Sequence, residues 1–199
     1  MSTSSSRELI IERAAKNKPE PSALPDIHLF EKNDEGDLVT FSTVLKNIGG
    51  SIYLIHSLEE LISIVKEKHA KGSRIYSPIR EVQQALNQAP DNSTDGHELE
   101  DVALAIIKAH FAVAENGAVW VTDELMGNRT LPFICQHLAV IINERDIIAT
   151  MHEAYLQASV NNYNYGTFIA GPSKTADIEQ SLVLGAHGPK SMTVFVMVN

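Results

Sequence analysis

The densest polar chemistry in the chain is the run Gly171-Pro172-Ser173-Lys174-Thr175-Ala176-Asp177-Ile178-Glu179, which follows a strand-like segment and precedes an expected short helix. Such a corner aims free backbone N–H groups outward beyond the carboxyl end of the strand, where open α/β sheets take their ligands. Gly171 permits close backbone approach, Ser173 and Thr175 offer hydroxyls, and Lys174 adds a positive charge. Together they predict a seat for a carboxylate or phosphate. The same residues also read as a helix start, with Asp177 at the cap, Gln180 three residues on, and Glu179 matching the dipole.

A second polar loop, Gly185-Ala186-His187-Gly188-Pro189, follows the expected helix Asp177–Leu184. That helix would span roughly 12 Å and put His187 at the far end from Ser173, so no Ser–His–Asp triad is drawn from these residues. His187 reads either as a base or as a partner for the helix C-terminus. Glu115, beside Asn116-Gly117, is a candidate ligand group or a solvated turn residue. Arg129 is a candidate carboxylate clamp or a solvated side chain. His137, at the start of an apolar run, reads as a hydrogen-bonded histidine at the core edge.

The chain holds one cysteine, Cys135, between Phe133-Ile134 and Gln136-His137. An iron–sulfur cluster takes about four thiolates and a disulfide takes two, so this chain alone supplies neither framework. Cys135 reads as a small buried hydrophobe. Gly-x-Gly-x-x-Gly, Walker A and His-Glu-x-x-His patterns are absent from the sequence, which removes most support for a nicotinamide or ATP enzyme.

The elements that must position these residues follow from periodicity. Apolar Leu38, Phe41, Val44, Leu45 and Ile48 fall at helical spacing, and Gly49-Gly50 stops the helix. The strand Ile52–Ile55 leads into Ser57-Leu58-Glu59-Glu60, a capping box that starts a helix with Leu58, Leu61, Ile62 and Val65 on one face. Arg74–Ser77 is the next strand, predicting a parallel pair joined by a right-handed crossover. Residues 87–97 read as a loop. Asn116-Gly117 joins two strand-like runs as a hairpin, which predicts a mixed sheet. His137–Ile142 reads as a buried strand, followed by a helix capped by Asn143 and carrying Ile147, Ile148, Met151, Tyr155 and Ala158 on one face. Thr167–Ala170 and Met192–Val198 are further strands. Strands interleaved with helices give an α/β class. Residues 1–36 read as an N-terminal arm and 37–199 as the domain.

With 199 residues, 44% apolar and 21% charged, the chain has the composition of a globular protein. Sixteen Lys and Arg against 25 Asp and Glu leave a formal charge of −9, the wrong sign for a general binder of nucleic acid or anionic membranes. No apolar run approaches the roughly 18 residues of a membrane span, and Met1–Glu12 lacks a signal-peptide core. A cytoplasmic location is the expectation.

The run Gly171–Glu179, followed by Leu182-Val183-Leu184-Gly185-Ala186-His187-Gly188-Pro189, closely resembles the carboxy-terminal signature of the lactate utilization protein C family, the LUD domain. Ala114-Glu115-Asn116-Gly117 is similar to the family's hairpin, with Asn116 and Ala118 in place of its usual threonines, and Arg129, Pro132 and His137 fit its pattern. Lys174 stands where arginine is common. The resemblance covers roughly Leu38 to Val198. It implies a three-layer α/β/α sandwich with a mixed, mostly parallel sheet, similar to the NagB, RpiA and CoA-transferase folds. It further implies a role in oxidising L-lactate to pyruvate beside cysteine-rich iron–sulfur subunits. With one thiol, this chain would leave the redox centre to those partners and act as an accessory subunit, offering a ligand-binding or docking surface and carrying no cofactor itself. The alternative is a stand-alone enzyme or binding protein for a small anionic or nucleotide-like ligand at the 171–179 loop.

Overall fold

The computed structural model describes residues 5–20, 22–23, 36–70, 72–87, 95–160, 163–175 and 183–198. The chain divides into two compact units, Met1–Phe30 and Glu31–Asn199. The first contains helix α1 (Ser6–Lys16), whose start is a reciprocal capping box: the Glu8 N–H donates to Ser5 Oγ and the Ser5 N–H donates to the Glu8 carboxylate.

The second unit is built on a five-stranded sheet of β1 (Ser51–Ile55), β2 (Ile75–Tyr76), β3 (Leu104–Lys108), β6 (His137–Asn143) and β11 (Ser191–Met197). Their order is β1-β11-β6-β3-β2, and every pairing is parallel. Parallel strands covered on both faces need apolar residues at successive positions, and β3 and β6 have them in Leu104–Ile107 and Leu138–Ile142. One face (Ile55, Leu104, Ile106, Ala139, Ile141, Phe195) packs under α3 (Leu58–Lys68) and α4 (Arg80–Ala85). The other (Ala105, Ile107, Leu138, Val140, Ile142, Val194, Val196) packs on α2 (Leu38–Asn47), α5 (Asp123–Met126) and α6 (Leu131–Ile134). This is the α/β architecture expected, with helices on both sides of a parallel sheet.

Several expectations change in the detail. β1 and β2 do not pair: α3 carries the chain from one edge of the sheet to the other, because β3, β6 and β11 occupy the places between. The Asn-Gly hairpin forms, joining β4 (Phe111–Val113) to β5 (Ala118–Thr122), but it leaves the central sheet. It belongs to a second sheet of order β7-β4-β5-β8, with β7 (Ile147–Ile148) and β8 (Gly166–Ala170) at its edges. Ile147 and Ile148 are therefore strand residues that pair with Ala112 and Val113, and helix α7 (Met151–Val160) begins after them. Asn143 does not cap that helix; its side-chain amide donates to Asp146. At α3 the Glu60 N–H donates to Ser57 Oγ as expected, while the Glu60 carboxylate reaches one residue further back, to the His56 N–H at 2.8 Å. Of the 87–97 loop, residues 88–94 lie outside the described residues, and a 3₁₀ turn begins at Gly96.

The second sheet is two-sided. Ala112, Val119 and Val121 face the main core, while Phe111, Val113, Trp120 and Phe168 pack on Ala154 and Ala158 of α7. One close-packed point is Gly166, where a Cβ would stand 2.5 Å from Trp120 Cζ2. Gly166→Ala should therefore cost about 1–3 kcal/mol by overpacking, read as a lower urea midpoint at unchanged m-value.

Candidate functional site

Two turns of the second sheet close on the end of α2. Ala118 pairs with Ala170, so the residues just outside them, Gly117 and Gly171, stand side by side. The Gly117 N–H donates to the Val113 carbonyl at 2.9 Å and Asn116 Oδ1 accepts from the Ala118 N–H at 3.0 Å, which fixes the hairpin tip. Gly117 and Gly171 adopt φ of 70° and 71°, a region that other residues enter at a cost. A Cβ on Gly117 would lie 3.0 Å from Ile48 Cδ1, and one on Gly171 3.0 Å from the Ile48 carbonyl oxygen. Gly49, with φ of 91°, meets Pro172 and Lys174 at the same place. The sequence marked Gly49-Gly50 only as a helix stop; its second role, receiving the signature loop, depends on a contact more than 120 residues away in the chain and left no local signal.

Beyond Gly171 the chain forms a narrow ribbon: β9 (Lys174–Thr175) pairs antiparallel with β10 (Val183–Leu184). The expected helix Asp177–Leu184 is thereby corrected at its end, where residues 183–184 are strand. Asp177 and Glu179 lie outside the described residues, and with them the capping reading. The separation of Ser173 from the His187 loop is corrected too. The Ser173 N–H donates to the Pro189 carbonyl at 2.9 Å and the Gly185 N–H donates to the Ser173 carbonyl at 3.1 Å. A Cβ on Gly188 would sit 3.1 Å from Ser173 Cβ. The two signature loops are thus one surface, held by backbone bonds. His187 projects from it as an exposed side chain, and among the described residues no hydrogen bond joins its ring to Ser173. Lys174 is exposed, and the Thr175 hydroxyl is buried without a hydrogen-bond partner among the described residues.

The surface also sits at a different end from the one expected. The run does follow the carboxyl end of a strand, but that strand, β8, belongs to the second sheet. In the central sheet it lies at the amino ends, where Gly50 precedes β1 and the Lys190 N–H donates to the Gln136 carbonyl just before β6 and β11 begin.

Glu115 and Arg129 do not join this surface. Glu115 accepts the Met151 N–H at 2.7 Å and its own N–H donates to the Ala149 carbonyl, so its carboxylate serves the amino terminus of α7, where the helix dipole favours negative charge. Arg129, beyond the other end of β5, donates to Asp123 Oδ2 at 2.8 Å with its guanidinium 5.5 Å from the Tyr165 ring centre. It lines a cleft of about 370 Å³ with Asp123, Glu124, Gly127, Tyr163 and Asn164. The hydrogen bond from Arg129 holds the Asp123 carboxyl below its ordinary value. Asp123, which sequence reasoning missed, is therefore what Arg129 clamps. His137 is the core-edge histidine expected, with Nδ1 2.7 Å from Ser191 Oγ. Cys135 is buried, and desolvation pushes its thiol up to about 12, so the thiolate that metal or disulfide chemistry requires is disfavoured. Among the described residues no three His, Cys, Asp or Glu side chains are grouped to hold a metal ion.

The profile of the LUD domain matches residues 82–197, more than half of the chain. The chain belongs to the LUD domain family. The match takes in the hairpin, Arg129, both signature loops and the last strand. Among similar proteins, one from Oceanobacillus iheyensis named lactate utilization protein C is 23% identical over 205 residues, covering 90% of this chain and 88% of that protein. Another of that name, from Anoxybacillus flavithermus, is 31% identical over 94 residues, but the aligned part is 44% of this chain and 40% of that one. In structure, the LUD chain is similar to a DUF162 family protein from Deinococcus radiodurans, with a TM-score of 0.62 at 19% identity, over 81% of this chain and 96% of that one. That likeness shows a shared fold.

Two outcomes test these assignments. Gly171→Ala should destabilise the LUD chain by about 1–2 kcal/mol, the cost of a left-handed residue with a Cβ, and chemical denaturation measures it. By carboxyl NMR, Asp123 should titrate below the ordinary 3.8, and Arg129→Gln should move it back toward that value. Because the folded value is the lower one, the stabilisation from this pair is present above the ordinary value and is lost as pH falls through the folded value.

Proposed function

We propose that this chain works in lactate utilisation as an accessory subunit of a cytoplasmic iron–sulfur complex that oxidises L-lactate to pyruvate. In that complex it contributes a ligand-binding or docking surface. The observation that carries the reading is the match to relatives named lactate utilization protein C, one of them aligned over 88% of its own length. Oxidation of lactate to pyruvate removes two electrons and two protons, and the electrons need a carrier. Cys135 does not fit a cluster ligand, being alone in the sequence and buried with a raised thiol pKa. The clusters are therefore assigned to partner subunits, and no step is routed through this chain's thiol. Among the described residues no helix is long and apolar enough to cross a membrane.

The surface best suited to the role is the one formed by Gly171, Ser173, Lys174 and Thr175 with the Gly185–Pro189 loop, because backbone bonds hold it in one shape. A second reading makes the same surface the seat of a small anionic or nucleotide-like ligand in a stand-alone enzyme or binding protein; the Thr175 hydroxyl, buried without a hydrogen-bond partner among the described residues, favours it. Affinity capture of the tagged chain from lactate-grown cells should recover cysteine-rich iron–sulfur proteins, and deletion should slow growth on lactate but not on glucose. Normal growth on lactate with no such partner overturns the first reading. A metabolite that stabilises the purified chain, with the shift lost in Ser173→Ala and Asp177→Ala, would decide for the second.

A further inference from the structure

We propose that two copies of this chain pair through the outer edge of β1, antiparallel and about a two-fold axis at Tyr53, so that the central sheet runs on from one copy into the other. β1 ends the order β1-β11-β6-β3-β2, and β11 takes only one of its sides. On that side the Ile55 carbonyl accepts the Val198 N–H at 2.9 Å. Successive residues of a strand direct their backbone groups to alternate sides, so Ser51, Tyr53 and Ile55 serve β11 while Ile52 and Leu54 present N–H and C=O groups outward. The chain itself closes both ends of this outer edge. The Gly50 N–H donates to the Leu45 carbonyl at 2.8 Å where α2 turns into the strand, and the His56 N–H donates to the Glu60 carboxylate at 2.8 Å where α3 begins. Among the described residues nothing hydrogen-bonds the outward groups of Ile52 and Leu54. These two donors and two acceptors are self-complementary. Opposing Ile52 to Leu54 of a second copy satisfies all of them, because each such pair exchanges both of its N–H···O=C bonds, and Tyr53 then falls opposite its own counterpart. Moving the register by two residues sets Leu54 against Gly50 or Ile52 against His56, whose N–H groups are already spent.

The strand lacks the devices that keep sheet edges apart. Ser51-Ile52-Tyr53-Leu54-Ile55 holds no charge and no proline, and its register with β11 runs without a bulge, whereas β2 at the opposite edge is only two residues long. Leu54 is 54% exposed on the face it shares with Ile52, and the paired register lays each Leu54 across from an Ile52. Charge selects a second copy, and selects its direction. At the amino end of β1 stand the exposed Lys46, in the last turn of α2, and the exposed Lys174, whose Cε lies 3.6 Å from the Cβ position of Gly49. At the carboxyl end, beside His56, stand the exposed Glu59 and Glu60 of the first turn of α3. Glu115, on the hairpin by the amino end, is already engaged by the Met151 N–H. An antiparallel two-fold brings the lysine end of each copy to the glutamate end of the other, so the general repulsion between two chains of charge −9 is relieved where the strands meet.

The edge from Ile52 to Leu54 is short against the roughly 20–30 residues a side of a standard interface, so the dimer is weak and forms at high protein concentration. It does not depend on what the signature surface binds, and its test uses no lactate. Sedimentation equilibrium of the full chain is measured over a concentration series, with backbone amide exchange followed at the two extremes. The expected result is a monomer–dimer equilibrium in which the Ile52 and Leu54 amides are protected only in the dimer, while those of Tyr53 and Ile55, bonded to β11, are protected throughout. Leu54→Lys, which puts a charge on the edge, should weaken association roughly tenfold or more. Leu54→Pro, which removes an outward N–H and no bond to β11, should do the same. Retained protection of Tyr53 and Ile55 reports that each variant still folds. Tyr53→Cys should cross-link under copper–phenanthroline, since opposed residues of a non-hydrogen-bonded pair stand about 4.5 Å apart at Cα, within disulfide reach, and the native Cys135 is buried. A chain that stays monomeric throughout, Ile52 and Leu54 amides protected in the monomer, association undiminished in the folded Leu54 variants, or a Tyr53→Cys dimer that does not cross-link each overturns the proposal.

Discussion

Two turns come so close to the end of α2 that a Cβ at either tip would stand 3.0 Å from Ile48. Gly117 and Gly171 both press on Ile48, and both need a left-handed backbone to do it. That approach sets where the second sheet ends, because Ala118 and Ala170 are the last residues paired between β5 and β8. It also places everything downstream: Pro172 and Lys174 are set against Gly49, Ser173 is carried to Pro189, and the two signature loops become one surface. The shape of the candidate site is thus fixed by missing Cβ atoms and backbone hydrogen bonds more than by interactions among its own side chains.

The elements with local signals were legible in the sequence. Ser57 and Glu60 announced α3, Asn116-Gly117 announced the β4–β5 hairpin, and the apolar run 138–142 announced a buried strand, since each signal and its structural cause lie within a few residues. What the sequence did not disclose was which strands share a sheet. The β4–β5 hairpin has the same pattern whether it extends the central sheet or starts another; the decision is made by β7 and β8, and Ile147-Ile148 is too short to display a period of two. The same difficulty hid the ribbon of Lys174–Thr175 with Val183–Leu184, where acidic and apolar residues resembled a capped helix.

The site residues divide along the same line. Gly171, Ser173, Lys174, Thr175 and Gly188 come together because the motif that marked them is itself the loop that folds. Glu115 and Arg129, marked for their charge, are instead engaged within the fold: Glu115 at the start of α7, Arg129 with Asp123. A charge in a motif tells which group is present but not what it faces. Asp123 and Met151 are their partners through the fold, and neither stands out in the sequence.

The order of the central sheet has a consequence for biosynthesis. β11 is last among the strands in the chain, yet it lies between β1 and β6 and is the strand to which β1 is hydrogen-bonded. Until the ribosome has released the residues up to Met197, β1 has no strand beside it to join it to the sheet. A nascent chain must keep β1 waiting until β11 has emerged, so contacts between distant residues close late and slowly. Loss of even the final strand would sever the sheet in its interior, detaching β1 rather than trimming an edge.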